Sequence, residues 1–401
     1  MRLPDGTELT YCTNIHPGES WHEVQQSLNS YTLKVKASVA GRAPFGIGLR
    51  LSASAAAELS VAGTLEEFKL WLTLNNCYVF TINGFPYGNF HGESVKQNVY
   101  LPDWRSRERV DYTLNLAELL VTLLPEGYAG YGSISTVPLG FKASFSESEN
   151  AAQAAENLLL VACQLIELEN KSGKRIILGL EPEPCCYLET IRETVRFFND
   201  YLLSASASEK IGNAFNLSAQ QARLEIRKHI GICLDLCHAA VEFEDPHDVI
   251  EQIQSANINI AKIQITNCLR IPSVNNQKIE QLSAFADEIY LHQVVEKTEQ
   301  GLHRYADIPQ AISRFYSNPI HGDIEWRVHF HIPVFLNMLS IFDTTQSFTE
   351  AALAGHVRTR LTRHLEIETY TWCVLPEQYR PENVVELIRK EYSWVNNILL
   401  P

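Results

Sequence analysis

Eight short apolar runs recur along the chain, at 9–14, 46–52, 77–83, 130–136, 175–181, 229–235, 260–266 and 364–370, and most break off at a polar residue. They are too short for helices, and several, such as Ile176-Ile177-Leu178, are apolar at consecutive positions, as in parallel strands covered on both faces. Between them lie stretches with helical spacing at 20–37, 65–74, 108–124, 149–169, 188–203, 219–228 and 248–256, and one more, at 382–397, follows the last run. Strand and helix in alternation build βαβ units. Eight such units, with no Gly-x-Gly-x-x-Gly opening a helix, predict an α/β fold of the closed (β/α)8 barrel type.

The spacing is broken once, across 269–362, which is far longer than one crossover needs. The run from Tyr290 to Glu296, the turn at Gly301 and the run from Tyr305 to Pro309 predict a hairpin added over the mouth of the barrel. The whole of 1–401 reads as one elaborated barrel domain with 269–362 as a lid-like insertion. The run Ser52–Ala57 reads as small-residue packing where a helix lies close to the barrel.

Composition narrows the function. A hydrophobic content of 45% in 401 residues is ample for one large core. The net charge of -14 opposes a phosphate backbone and argues against nucleic acid as a partner. The nine cysteines are scattered with no paired CxxC motifs, which argues for reduced, buried thiols in a reducing compartment. No apolar h-region opens the chain and no uninterrupted apolar run reaches the ~18 residues of a membrane span. A cytoplasmic protein without membrane insertion is therefore expected, with a small-molecule metabolite and other proteins of its pathway as partners.

A barrel gathers the C-terminal ends of its strands at one mouth. Glu181, Asp235, Gln264 and Glu368 all stand at such ends, and their oxygens suit a divalent ion such as Mn, Mg or Co. His238 and His331 would add nitrogen, moving the preference towards Zn, Mn or Fe. Carboxylates buried together are costly without a cation. His16, Asn83, His91 and Lys142, just beyond earlier strands, are candidate contacts for substrate hydroxyls or a phosphate, and Glu183, His329 and Trp372 join them. Trp21, Phe85, Tyr87, Phe90 and Phe141, with Trp372, are candidates for apolar pocket walls.

These motifs resemble known ones. Glu181-Pro182-Glu183-Pro184 resembles the Glu-Pro-Lys-Pro motif of xylose isomerases, and Asp235-Leu236-Cys237-His238 resembles both their Glu-x-x-His and the Asp-x-x-His of endonuclease IV. Gln264 to Asn267 sits where that superfamily has a strand-end His or Asp followed by Asn, and Leu365 to Thr369 resembles its final metal-ligand strand. More narrowly, Leu9 to Trp21 and Thr81 to Gly92 resemble the EboE family of metabolite traffic proteins, associated with making or exporting a bacterial secondary metabolite. The resemblance implies a xylose isomerase-like TIM barrel with a divalent metal. It also implies that Glu181 and Glu368 act as ligands and as the proton-transfer pair of an isomerase or epimerase on a sugar, cyclitol or phosphate of either.

Two departures bear on the chemistry. Glu183 stands where xylose isomerases carry lysine, and an acid cannot supply the positive charge used there for a hydride shift. Gln264 replaces a charged or imidazole ligand with a neutral amide. Asp235-x-x-His238 and His329-x-His331 favour, as an alternative, metal-dependent phosphoester hydrolysis of a small metabolite. A barrel that binds and hands on a metabolite without turnover uses the same pocket.

Overall fold

A computed structural model describes the chain except residues 92–94, 146–147, 318–322, 374, 376–379, 381–382 and 401. Eight parallel strands form one sheet in the order Glu8–Tyr11, His364–Ile367, Ile260–Ile265, Ile230–Asp235, Arg175–Leu180, Tyr131–Thr136, Cys77–Asn83 and Phe45–Arg50. The sheet curls until its two outer strands meet through a parallel bridge between Cys12 and Gly48. Side chains complete this seam. The Thr10 hydroxyl accepts from Gly48 N (3.0 Å) and donates to Gly46 O (2.8 Å), and the Thr13 hydroxyl accepts from Arg50 N (2.9 Å). Gly48 is required here, because a Cβ at that position would collide with the Glu366 carboxylate and with the backbone of Tyr11. The fold is a (β/α)8 barrel.

Helices cover the outside and start where local chemistry favours them. Ser20 and Glu23 form a capping box at Trp21–Ser27, and Thr190 and Glu193 form another at Ile191–Phe197. The expected helices at 20–37 and 188–203 are each interrupted by one π turn, at Leu28–Thr32 and Phe198–Leu202. The small-residue run after Ser52 is itself a short helix, Ala53–Leu59, with Ala55 and Ala56 fully buried. Helix Ser148–Ser172 is the one described helix long and apolar enough to cross a bilayer by length and composition, and half of that apolar stretch is buried within the chain. The eight cysteines with described side chains are free.

The barrel interior is polar. Ser133 Oγ bonds both Thr81 Oγ1 and His364 Nδ1 (2.8 Å each). Above them Lys262 Nζ pairs with Glu366 Oε2 at 2.5 Å, with both side chains wholly excluded from solvent. Charges so buried require such a partner to offset their desolvation.

The segment expected at 269–362 resolves into two parts. Six strands, in the order Gly301–Tyr305, Val294–Thr298, Glu325–Ile332, Asn267–Ile271, Phe342–Thr344 and Met338–Leu339, make a second, antiparallel sheet. The hairpin around Gly301 is one piece of it. This sheet has its own apolar cluster, including Leu269, Trp326, Phe330 and Ile332, which the barrel-loop residues Phe90 and Trp372 join. Helices Asn276–Leu282 and Ile308–Ser317 lie between its strands, and the other part, helix Gln346–Thr359, is an ordinary crossover packed against Pro246–Ser255 and Val384–Leu399.

Candidate metal centre

Three carboxylates converge at the mouth from three strand ends. Glu181 directly follows its strand, and its backbone N–H bonds Thr136 O at 3.1 Å. Asp235 ends its strand and caps the next helix, Oδ1 accepting from Cys237 N (2.6 Å) and His238 N (3.1 Å). Glu368 lies just past the last strand, and its Oε1 accepts from Asn14 Nδ2 (2.8 Å) and Asn83 Nδ2 (2.7 Å). Each of the three offers an oxygen within 4.8 Å of the others, at 3%, 2% and 3% exposure for Glu181, Asp235 and Glu368. Two oxygens, Glu181 Oε2 and Asp235 Oδ2, are buried with no hydrogen-bond partner. Burial, and then a neighbouring carboxylate's charge, that of Asp235 on Glu181 and that of Glu181 on Glu368, push both well above the usual carboxylate range. Such a group demands either shared protons or a cation, and its hard oxygens fit a divalent ion.

Three imidazoles adjoin it. His238 stands one turn beyond Asp235, and His329 and His331 project from the same face of strand Glu325–Ile332. Each Nδ1 meets an oxygen: Pro182 O at 3.0 Å from His238, Glu368 O at 2.6 Å from His331, and Gln293 Oε1 at 2.7 Å from His329. The Gln293 amide is oriented by Nε2 contacts to Tyr100 Oη (2.7 Å) and Glu183 Oε1 (3.1 Å), so its oxygen must accept. All three rings therefore carry the proton on Nδ1 and turn a lone pair out at Nε2. Those lone pairs face one another, His329 Nε2 lying 3.1 Å from His238 Nε2 and 3.0 Å from His331 Nε2. Burial depresses all three, His238 to about 3 and His331 to about 4, so the rings stay neutral. Three neutral acceptors meeting in a buried space are the donor set of a transition metal. Asp235 also lies with His238 and His331, and so belongs to both sets.

The other expected residues divide. Gln264 is fully buried, yet its Oε1 takes the Cys233 thiol at 2.8 Å and its Nε2 has no partner. One lone pair of its oxygen is thus taken by a thiol on the neighbouring strand, and Gln264 itself sits opposite Asp235 in the strand register. Asn83, Glu183 and His329 line the cavity at the mouth. Glu183 accepts from Tyr100 Oη at 2.6 Å, and burial pushes its carboxyl up to about 8. His16, His91, Lys142 and Trp372 are not among the cavity-lining residues. His16 stacks on Tyr31, His91 faces Glu19, Lys142 pairs with Glu189, and Trp372 is buried in the second apolar cluster. Of the expected aromatic walls, Phe85 and Phe90 line the cavity, whereas Trp21 packs on Phe68, Tyr87 on Tyr112 and Phe141 on Tyr100. Asn14, Lys96, Tyr100 and Gln293 went unread. Asn14 had the same strand-end signal as Asn83, while Gln293 lies in the insertion, where no barrel spacing applies.

No family model and no curated protein matches the sequence. Similar solved structures include a xylose isomerase-like TIM barrel protein from Mycobacterium smegmatis in complex with magnesium, 11% identical over 99% of this chain and 92% of that one, at a TM-score of 0.49. The architecture is a (β/α)8 barrel. The IOLI protein with a bound zinc atom is 11% identical over 98% of each chain at 0.46. A xylose isomerase domain protein from Planctomyces limnophilus is 12% identical over 91% of each at 0.48.

Proposed function

We propose that this barrel is a divalent-metal-dependent isomerase or epimerase of a small hydroxy-carbonyl metabolite, acting in a secondary-metabolite pathway as the EboE resemblance implies. The observation that carries the reading is the meeting of Glu181 and Glu368 beside Asp235, buried and with orphaned oxygens. Glu181, Asp235 and Glu368 would hold the ion, which when bound would act as a Lewis acid towards a substrate carbonyl. Glu181 and Glu368 then stand as the two proton carriers, one removing a proton from the carbon beside the carbonyl and the other returning it. Asn14 and Asn83 both donate to Glu368 Oε1, which fixes the orientation of that carboxylate. Metal-loaded protein incubated in deuterated water with a panel of ketoses, aldoses and other hydroxy-ketones should place deuterium next to the carbonyl, as read by mass spectrometry. Turnover without solvent deuterium would replace proton transfer by a hydride shift.

The converging lone pairs of His238, His329 and His331 favour a second reading, phosphoester hydrolysis at a two-metal site. Metal analysis of protein purified without chelator separates the two. One ion per chain supports the isomerase, while two ions with turnover of bis(p-nitrophenyl) phosphate support the hydrolase.

A further inference from the structure

The cavity above the carboxylates contains about 530 Å3 of empty space, its opening included. Its carboxylates and imidazoles stand on strands or beside strand ends, whereas Phe85, Phe90, Val95, Val99 and Leu291 lie in the stretches between strands at 84–100 and 286–293, together with Lys96 and Tyr290. Lys96 lines the cavity, but its ammonium has three donors and three acceptors already: Asp287 O (2.7 Å), Tyr290 O (2.7 Å) and Asp307 Oδ2 (2.8 Å). Arg50, behind Phe90, is bound to Gly18 O (2.9 Å), Glu19 Oε2 (2.7 Å) and Gly88 O (2.7 Å). Among the described lining residues no ammonium or guanidinium is left to hold a phosphate, and none of the undescribed residues is a lysine or arginine.

Two polar side chains of the wall are similarly committed, whereas Asn14 Oδ1 is buried without a partner. Tyr100 Oη donates to Glu183, and Asn83 uses both ends of its amide, on Glu368 and on Phe85 N. A polyol laid along this wall would bury hydroxyl groups with few partners, and each unpaired one weakens binding. Burial of an apolar group there is instead favourable in proportion to its area.

We infer that the substrate carries its oxygens at one end, against the carboxylates, and an unphosphorylated apolar body of about ring size at the other. This rests on the metal reading for its oxygen-bearing head only; the apolar body is argued from the walls alone. Three compounds share a hydroxymethyl-ketone head and differ in the body: 2-hydroxyacetophenone with a phenyl ring, dihydroxyacetone with a hydroxymethyl group, and dihydroxyacetone phosphate. Titrated calorimetrically into the Mn2+-loaded full chain, the phenyl compound should bind roughly 10–100-fold more tightly than dihydroxyacetone, the amount expected from burying a ring. The phosphate compound should gain nothing over dihydroxyacetone. Val99→Ser and Leu291→Ser, both half-buried wall positions, should shrink the phenyl preference while metal content stays unchanged. Tightest binding of the phosphate compound, no advantage or no binding for the phenyl compound, or a preference unmoved by both variants overturns the inference. If the chain holds no ion yet prefers the phenyl compound, the metal reading fails and the apolar body stands.

Discussion

Asn14 and Asn83 direct two amide donors at one oxygen of Glu368, which leaves that carboxylate little freedom to turn. Glu368→Gln keeps an oxygen donor in place and removes the basic oxygen. Exchange of the substrate's proton with solvent, followed by NMR, should fall by roughly 10²–10⁴-fold while the ion is still bound. Exchange that survives removes Glu368 from the proton path. If the imidazoles hold a second ion, as the hydrolase reading requires, His329→Ala and His331→Ala should each remove that ion and leave the one at Glu181, Asp235 and Glu368 in place, as read by elemental analysis; an unchanged content of one ion supports the isomerase. Loss of both ions would mean that the two sets form a single site. The three carboxylates were legible in the sequence because each ends an apolar run, and a strand end in a barrel fixes direction. Gln264 bore the same signal, but the contact from the Cys233 thiol on the adjacent strand to its oxygen is a pairing between strands that cannot be read from either alone. Loop residues such as His16, His91 and Lys142 carried no directional signal, and each settled on a nearby partner.

The inserted sheet is held to the barrel by cations on its strands. Arg304, on the hairpin, meets Glu242 Oε1 and Oε2 at 3.0 and 2.9 Å and approaches Glu189 at 3.4 Å. Arg327 donates to Ala240 O at 2.6 Å, with its guanidinium 4.0 Å from the Phe243 ring centre. Burial already raises Glu242 to about 7 despite Arg304, so without that partner it would take up a proton. Arg304→Ala should accordingly cost about 1–3 kcal/mol, below the full penalty for breaking a buried pair because Arg304 is partly exposed. A lower urea midpoint together with faster protease cleavage near 298–305 would show it; an unchanged midpoint would mean that the apolar contacts alone seat the sheet. The hairpin could be read from the chain because two extended runs flank Gly301. The sheet could not, because Glu325–Ile332 pairs with both Asn267–Ile271 and Val294–Thr298, and pairing between strands distant in the chain leaves no local period.

Across the whole molecule, Glu391 ties three parts together. From the last helix its Oε1 accepts from Thr369 Oγ1 (2.7 Å), just beyond the last barrel strand, and from Val334 N (3.4 Å) in the insertion. Burial lifts its carboxyl from 4.5 to about 8. Between those values the folded chain holds a proton that the unfolded chain has released, so this group makes stability fall as pH rises through that window. The slope from this one group approaches about 1.4 kcal/mol per pH unit. In Glu391→Gln that part of the decline should vanish, so the variant gains on the parent protein between pH 5 and 8 in chemical denaturation; parallel curves would mean that Glu391 does not titrate there. The barrel also has a tear line. Where Glu8–Tyr11 meets Phe45–Arg50, one backbone bridge and two threonine hydroxyls stand in for a ladder, so opening fluctuations should run lengthwise along this slit. Asn14 and Asn83 stand on opposite sides of it and grip the same oxygen of Glu368. Filling the mouth would then lace the slit shut from above, and amide deuteration should slow at Gly46 and Gly48 when metal is added, more than it slows on the far wall of the cylinder.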